Sequence, residues 1–148
     1  MYEIRFVIKS DLLQLVDLCA AHAQYEHAPY DKSGKVEQLG KDLFCALPKL
    51  QCLIVASDDE LTGFATYMKQ YATWDAGEYI YLDCLFLKPA ARGQGLGELL
   101  VERLKQETAN MGLRLIQWQT PEFNAGAIKF YKRIGATSKS KERFLLEL

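Results

Sequence analysis

Residues 92–100 read RGQGLGELL: Gly93, Gly95 and Gly97 alternate over five positions, and a helical pattern of apolar residues follows at once. Glycine permits positive φ and removes the Cβ that would keep a ligand from the backbone. The first amides of a helix lack intrahelical partners and carry partial positive charge, so such a turn is shaped to hold an anion. Two common phosphate holders do not match. A nucleoside-triphosphate loop needs GxxxxGK[ST], and no Lys-Ser or Lys-Thr follows the glycines. A dinucleotide fingerprint needs a third glycine at fixed spacing and an acidic residue at a later strand end, whereas the following strand closes on Gln119 and Thr120.

Immediately before the turn stands YIYLDCLFL (Tyr79–Leu87), nearly all apolar, as expected of a strand buried on both faces. Simple alternation puts Ile80, Leu82, Cys84 and Phe86 on one face and Tyr79, Tyr81, Asp83, Leu85 and Leu87 on the other. Upstream, Tyr2–Ile8 alternates as a strand, and Ser10 or Asp11 caps a helix bearing Leu12, Leu15, Val16 and Cys19. Tyr25–Lys35 is a polar loop, and a second helix runs from Val36 to Leu47, before Pro48. Gln51–Ser57 and Leu61–Tyr71 form a hairpin across Asp58, Asp59 and Glu60. Downstream come a helix from about Gly95 to Met111, a strand Arg114–Thr120 and a helix from the Asn124 cap to Ile134. Phe144, Leu146 and Leu148 alternate, which predicts one or two closing strands. The order β-α-α-β-β-β-α-β-α-β(-β) mixes hairpins with crossovers. It predicts an α/β (α+β) fold with a mixed, mostly antiparallel sheet flanked by helices, in one domain over residues 1–148.

Net charge is −1, so no basic field serves nucleic acid or an anionic membrane, and no apolar run approaches the ~20 residues of a membrane span. The start MYEIRFVIKSD lacks a signal peptide's basic and apolar regions. Cys19, Cys45, Cys52 and Cys84 show no CxxC spacing, and His22 and His27 are the only histidines. We therefore expect reduced thiols, no metal site and a cytoplasmic protein.

The pattern R/Q-x-x-G-x-G/A does fit, as Arg92-Gly93-Gln94-Gly95-Leu96-Gly97, directly after the buried strand. It resembles the acetyl-CoA pyrophosphate loop of the GCN5-related N-acetyltransferases (GNAT), whose element order is also the one derived above. GFATY (Gly63–Tyr67), the pair Tyr71 and Trp74, YLDCLFL and NAGAIKFYKRIGA (Asn124–Ala136) resemble the diamine branch, which acts on spermidine, spermine and thialysine. Tyr25-Glu26 matches that branch too.

The resemblance implies acetyl transfer from acetyl-CoA to a primary amine of a small molecule, a diamine, polyamine or amino-acid side chain. An amine of pKa ~10.4 is unprotonated about once in 2,500 molecules at pH 7, so freeing it costs roughly 4–5 kcal/mol. By position, Asp83 is the implied base, direct or through water, standing where the branch usually has glutamate one methylene longer. Tyr131 is the implied acid toward the departing thiolate. A phenol near pKa 10 facing a thiol near 8.5 makes full transfer uphill by roughly 2 kcal/mol, so hydrogen bonding to the developing charge is the sounder role. Main-chain groups of Leu85, Phe86 and Leu87 are implied for the pantetheine arm. The turn Gly93, Gln94, Gly95, Leu96, Gly97 and Glu98 is implied for the pyrophosphate, with Arg92, Asn124 and Lys129 nearby. Tyr25, Glu26, Trp74 and Asp83 are implied for the amine, with Tyr71, Asp75, Glu78 and Glu142 as further walls and charges. Ala72 and Cys84 replace acids of the branch, which weakens the case for a polyamine. A homodimer is the family's common state. Protein amino-terminal or lysine acetylation, and a CoA-binding module without catalysis, are the alternatives.

Overall fold

A computed structural model describes residues 1–148. Its elements are β1 (Tyr2–Phe6), α1 (Leu12–Tyr25), α2 (Lys35–Phe44), β2 (Gln51–Ser57), β3 (Glu60–Ala72), β4 (Gly77–Leu87), α3 (Leu96–Asn110), β5 (Ile116–Gln117) and α4 (Ala125–Arg133). The sheet order is β1-β2-β3-β4-β5; the first three pairings are antiparallel and β4–β5 is parallel. This is the mixed, mostly antiparallel sheet that the element order predicts.

The sheet is covered on both faces, which explains the unbroken apolar run of β2. Cys52, Ile54 and Ala56 pack with Leu15, Leu18 and Leu43 of α1 and α2, while Leu53 and Val55 pack with Leu96, Leu100 and Leu104 of α3. Alternation alone sorts these side chains, because the register slip beside Val55 and Ala56 places its extra residue, Thr62, on β3 rather than on β2. A single 3-10 turn, Lys9–Asp11, precedes α1. Asp11 does not cap forward as the sequence suggests. Its carboxylate turns back, accepting from the Ile8 amide at 2.9 Å and from Arg5 Nη1 and Nη2 at 2.7 and 3.1 Å.

Two expectations are corrected. First, β4 does not alternate throughout. Thr66 pairs with Cys84 but Tyr67 pairs with Leu82, so Asp83 is an extra residue in the strand, a β-bulge. The bulge flips the parity: Ile80 and Leu82 join Leu85 and Leu87 on the α3 side, whereas Cys84 and Phe86 face α1 and α2. Second, no strand forms beyond α4. β5 is paired with β4 over two residues only, which leaves its other edge too short a template for a ladder. The tail is rich in Lys, Ser and Glu, and its apolar residues lie in the open, Phe144 at 85% exposure.

Candidate functional site

Parallel pairing between β4 and β5 stops at Ile80–Ile116 and Tyr81–Gln117. Beyond it the strands part, and a cleft of about 1400 Å³ opens between Leu82–Leu87 on one wall and Trp118, Gln119 and α4 on the other. Because β3 holds one edge of β4 as far as Leu87, the other edge faces the cleft with its main chain free of any strand partner. Such an edge can take an extended, amide-bearing ligand as a strand would.

One end of this edge runs into the glycine turn. Gly93 and Gly95 have φ of 75° and 76°, and an added Cβ at either would meet no atom within 4 Å. The space above the turn is therefore open rather than filled by packing. Gly95 is the N-cap of α3, and the first helical bond runs from the Leu99 amide to the Gly95 carbonyl at 3.1 Å. The amides of Leu96, Gly97 and Glu98 precede it and have no helical acceptor, the arrangement that binds phosphate. Gly97 serves packing: a Cβ there would lie 3.3 Å from Phe130 Cζ. The residues present thus fit the diphosphate and the amide arm of a coenzyme A molecule.

About 20 Å of extended strand separates Leu87 from Tyr81 at the other end. The bulge presents Asp83 to the cleft, where it carries no ion pair and acts electrostatically on Cys19 and His22 of α1. Across the cleft, Tyr131 projects from α4 and packs edge-on against Trp118 at 5.2 Å. Burial, then the charge of Glu26 and the nearby Tyr25, push its phenol up to about 12. Tyr131 is therefore a proton-bearing donor at every physiological pH.

α1 closes the site from above. Tyr25 donates its hydroxyl hydrogen bond to Asn124 Oδ1 at 2.9 Å, while the same oxygen caps α4 by accepting from the Ala127 amide. Arg92 lies over the Tyr25 ring at 4.6 Å and the Phe86 ring at 5.5 Å, and its Nε donates to the Leu87 carbonyl at 2.9 Å. His22 stacks on Phe86 at 5.3 Å and pairs with Glu26. Burial lowers the His22 pKa against the opposing pull of Glu26 and Asp83, so the ring is neutral near pH 7. Cys84 also lines the cleft, but burial and then Asp83 push its thiol up to about 12, which removes it as a thiolate nucleophile.

Most residues singled out from the sequence meet here: Glu26, Asp83 and Tyr131 toward one end, Leu85–Leu87, Arg92, Gly93 and Gly95–Glu98 toward the other, with Tyr25 and Asn124 joining them. Six others lie elsewhere. Trp74 is fully exposed in the turn joining β3 to β4, and Tyr71 is exposed near the same turn. Lys129 is exposed on α4 away from the cleft, and the Gln94 side chain folds back to the Ala90 carbonyl at 3.0 Å. Asp75 and Glu78 do not line the cleft, whereas Glu142 does. His22, Tyr30, Trp118 and the tail residues Lys141 and Arg143 also line the cleft, and no sequence motif marks them. The i, i+4 spacing of His22 and Glu26 on a helix was the available signal for the first.

The acetyltransferase (GNAT) family profile matches residues 15–136. Among relatives, the thialysine N-epsilon-acetyltransferase of Bos taurus is 28% identical over 141 residues, covering 90% of this chain and 82% of its own. The integron cassette protein VCH_CASS6 of V. cholerae is similar in structure, with a TM-score of 0.80, 26% identity, and coverage of 99% of this chain and 92% of that one. The aminoglycoside N-acetyltransferase AAC(6')-Iy, solved in complex with CoA, shares the fold at a TM-score of 0.82 and 19% identity, covering 99% and 95%.

Proposed function

The chain belongs to the acetyltransferase (GNAT) family, and from that premise we propose that it moves the acetyl group of acetyl-CoA to a primary amine of a small molecule by direct attack within one catalytic domain. One observation carries the reading. The free edge of β4 leads from an open, left-handed glycine turn to a site where Asp83 and a half-buried Tyr131 face one cleft. The name of the bovine relative, which describes transfer to a side-chain amine, supports the acceptor class.

Acetyl-CoA, when bound, supplies an activated thioester. The amides at the start of α3 hold its diphosphate, and the β4 edge aligns its arm and polarises the thioester carbonyl. Asp83, reached directly or through one water, accepts the proton that an ammonium must lose. Asp83 releases that first proton to solvent and takes a second from the nitrogen as the N–C bond forms. The C–S bond breaks, the electron pair leaves with sulfur, Tyr131 donates a hydrogen bond to the thiolate, and the thiolate is protonated from solvent on release. The raised phenol sharpens this role. A donor near 12 facing a thiol near 8.5 is a poor acid by roughly 5 kcal/mol, but it stabilises a thiolate without losing its own proton. Glu26, held by His22, adds negative charge that draws a cationic amine in, and Tyr25 and Arg92 complete the wall. The raised Cys84 thiol argues against an acetyl-cysteine intermediate. The exposed Phe144, Leu146 and Leu148 support a homodimer, which light scattering tests.

The deciding experiment measures amine-dependent release of CoA thiol from acetyl-CoA. Asp83→Asn is expected to lower kcat about a hundredfold and to leave the acetyl-CoA KM within about twofold. Equal turnover by the variant would remove Asp83 from proton transfer.

A further inference from the structure

Helix α1 brings to the cleft a histidine for which acetyl transfer, as described, has no use. His22 stacks on Phe86 at 5.3 Å and meets Phe64 edge-on at 6.0 Å, so two aromatic rings fix its plane. Its Nε2 pairs with Glu26, one turn later on the same helix. A carboxylate only accepts, so Nε2 carries the proton of the neutral ring and Nδ1 is left as the acceptor. Nδ1 has no partner in the protein, and the one sealed side-chain polar atom without a partner is Thr66 Oγ1, so Nδ1 is open to the cleft.

The Asp83 carboxylate leans toward this ring. Cys84 and Phe86 share the face of β4 that meets α1, and the Cys84 thiol donates to Asp83 Oδ2 at 3.7 Å. Phe86, which His22 covers, stands one strand repeat from Cys84, about 6.7 Å, a gap that one or two waters bridge. The other titratable groups around His22 are poor proton acceptors. On α1 and β4 the thiols of Cys19 and Cys84 keep their protons, pushed up by burial to about 11 and about 12. The Tyr30 phenol, from the loop before α2, is raised by burial to about 12. Arg92, over the same Phe86 ring, has only donors. Glu26 is a carboxylate like Asp83, and imidazole is a stronger base than a carboxylate by roughly two pKa units in water.

We infer that His22, oriented by Glu26, receives through water the proton that Asp83 takes from the acceptor's ammonium. The N–H bond breaks toward Asp83, the proton passes along water to Nδ1, and the imidazolium rests against Glu26. Asp83 is thereby a carboxylate again when the N–C bond forms and the nitrogen's second proton comes to it. The imidazolium then gives its proton to bulk water and the ring returns to its neutral form. His22 acts through Asp83 and is a positioning residue for the proton. The inference rests on the acetyltransferase reading and names the first stop of the proton that Asp83 releases.

The test follows thiol release from acetyl-CoA with the full chain and L-lysine or cadaverine between about pH 5 and 7.5. At pH 7.5, His22→Gln is expected to lower kcat about tenfold, less than loss of the base itself because bulk water remains a slower route. The acetyl-CoA KM, expected within about twofold, identifies a folded variant. The ratio of wild-type to variant kcat is expected to shrink as pH falls below about 6.5, where a protonated ring accepts nothing. Glu26→Gln, at a half-exposed position, is expected to lower kcat as well, and less in the His22→Gln background than alone. Imidazole added to His22→Ala is expected to recover kcat with saturation. An unchanged kcat in His22→Gln, a ratio constant with pH, independent effects of the two substitutions, or no recovery by imidazole would each overturn the relay and leave acetyl transfer standing. No thiol release by the wild type with either amine would overturn acetyl transfer to small amines itself.

Discussion

At the glycine turn the cleft is made of main chain, whereas at Asp83 it is made of side chains drawn from α1, β4, α4 and the tail. The first end offers amides whose direction is set by helix geometry and two left-handed glycines. The second is lined by charged side chains from segments more than a hundred residues apart, Glu26 and Arg143 among them. Substitutions should therefore separate by kinetic constant: changes at the turn move the donor KM, and changes at the far end move kcat or the acceptor KM. The largest expected effect lies at the Asp83 end. Tyr131→Phe keeps the ring that packs on Trp118 and removes only the hydroxyl. Loss of an oriented donor to a developing charge lowers kcat about 10²–10³-fold, with donor KM within about twofold. A steady-state comparison checks it, and an unaltered kcat would break the division between the ends.

Gly95→Val tests the backbone end. No atom lies within 4 Å of the added Cβ, so the new side chain starts into open space. What changes is the backbone at φ 76°, strained by about 1–2 kcal/mol, and the open space above the turn. Calorimetric titration is expected to show acetyl-CoA affinity falling about tenfold or more, while the acceptor KM moves less than about twofold. If acceptor KM rose instead, the turn would not be the donor's cradle.

The same contrast governs how much the sequence revealed. Elements with their own local signals appear within a few residues: β2 matches at both ends, and α4 starts behind its Asn124 cap, whose side chain accepts from Ala127. The glycine turn was legible because left-handed glycines at a helix start are a local backbone signal. The bulge at Asp83 was not, since an inserted residue is invisible until its partner Tyr67 shows the slip in register. The tail misled for the opposite reason. Phe144, Leu146 and Leu148 carry a strand's alternation, yet a strand needs an edge to join, and two-residue β5 offers almost none. Arg143 and Lys141 reach the cleft by tertiary placement, for which no spacing in the sequence is a signal.

A smaller effect is expected from pH at His22. Burial, the largest influence, depresses its folded pKa below the ordinary ~6.5, so the unfolded chain binds the extra proton first. The stability this ring contributes is complete above about pH 6.5 and is lost as pH falls below it. Denaturant unfolding of the wild type between about pH 5 and 7 should show that decline, and His22→Gln should flatten it. A wild type that grows more stable on acidification through this range would show that the attraction of Glu26 and Asp83 outweighs burial.

The smallest effect is expected at Trp74, and it tests the boundary of the acceptor end. Its likeness to the diamine branch assigns it to the amine, but the indole stands 100% exposed in the turn between β3 and β4. A side chain without contacts in its own protomer adds little to stability or binding there, so Trp74→Ala should alter acceptor kcat/KM by less than about twofold. A loss of tenfold or more would require the indole to reach a cleft that its own protomer does not offer it. Only a second copy could supply that cleft. Such a result would couple acceptor recognition to association, and the effect would then weaken with dilution below the dimer's dissociation constant.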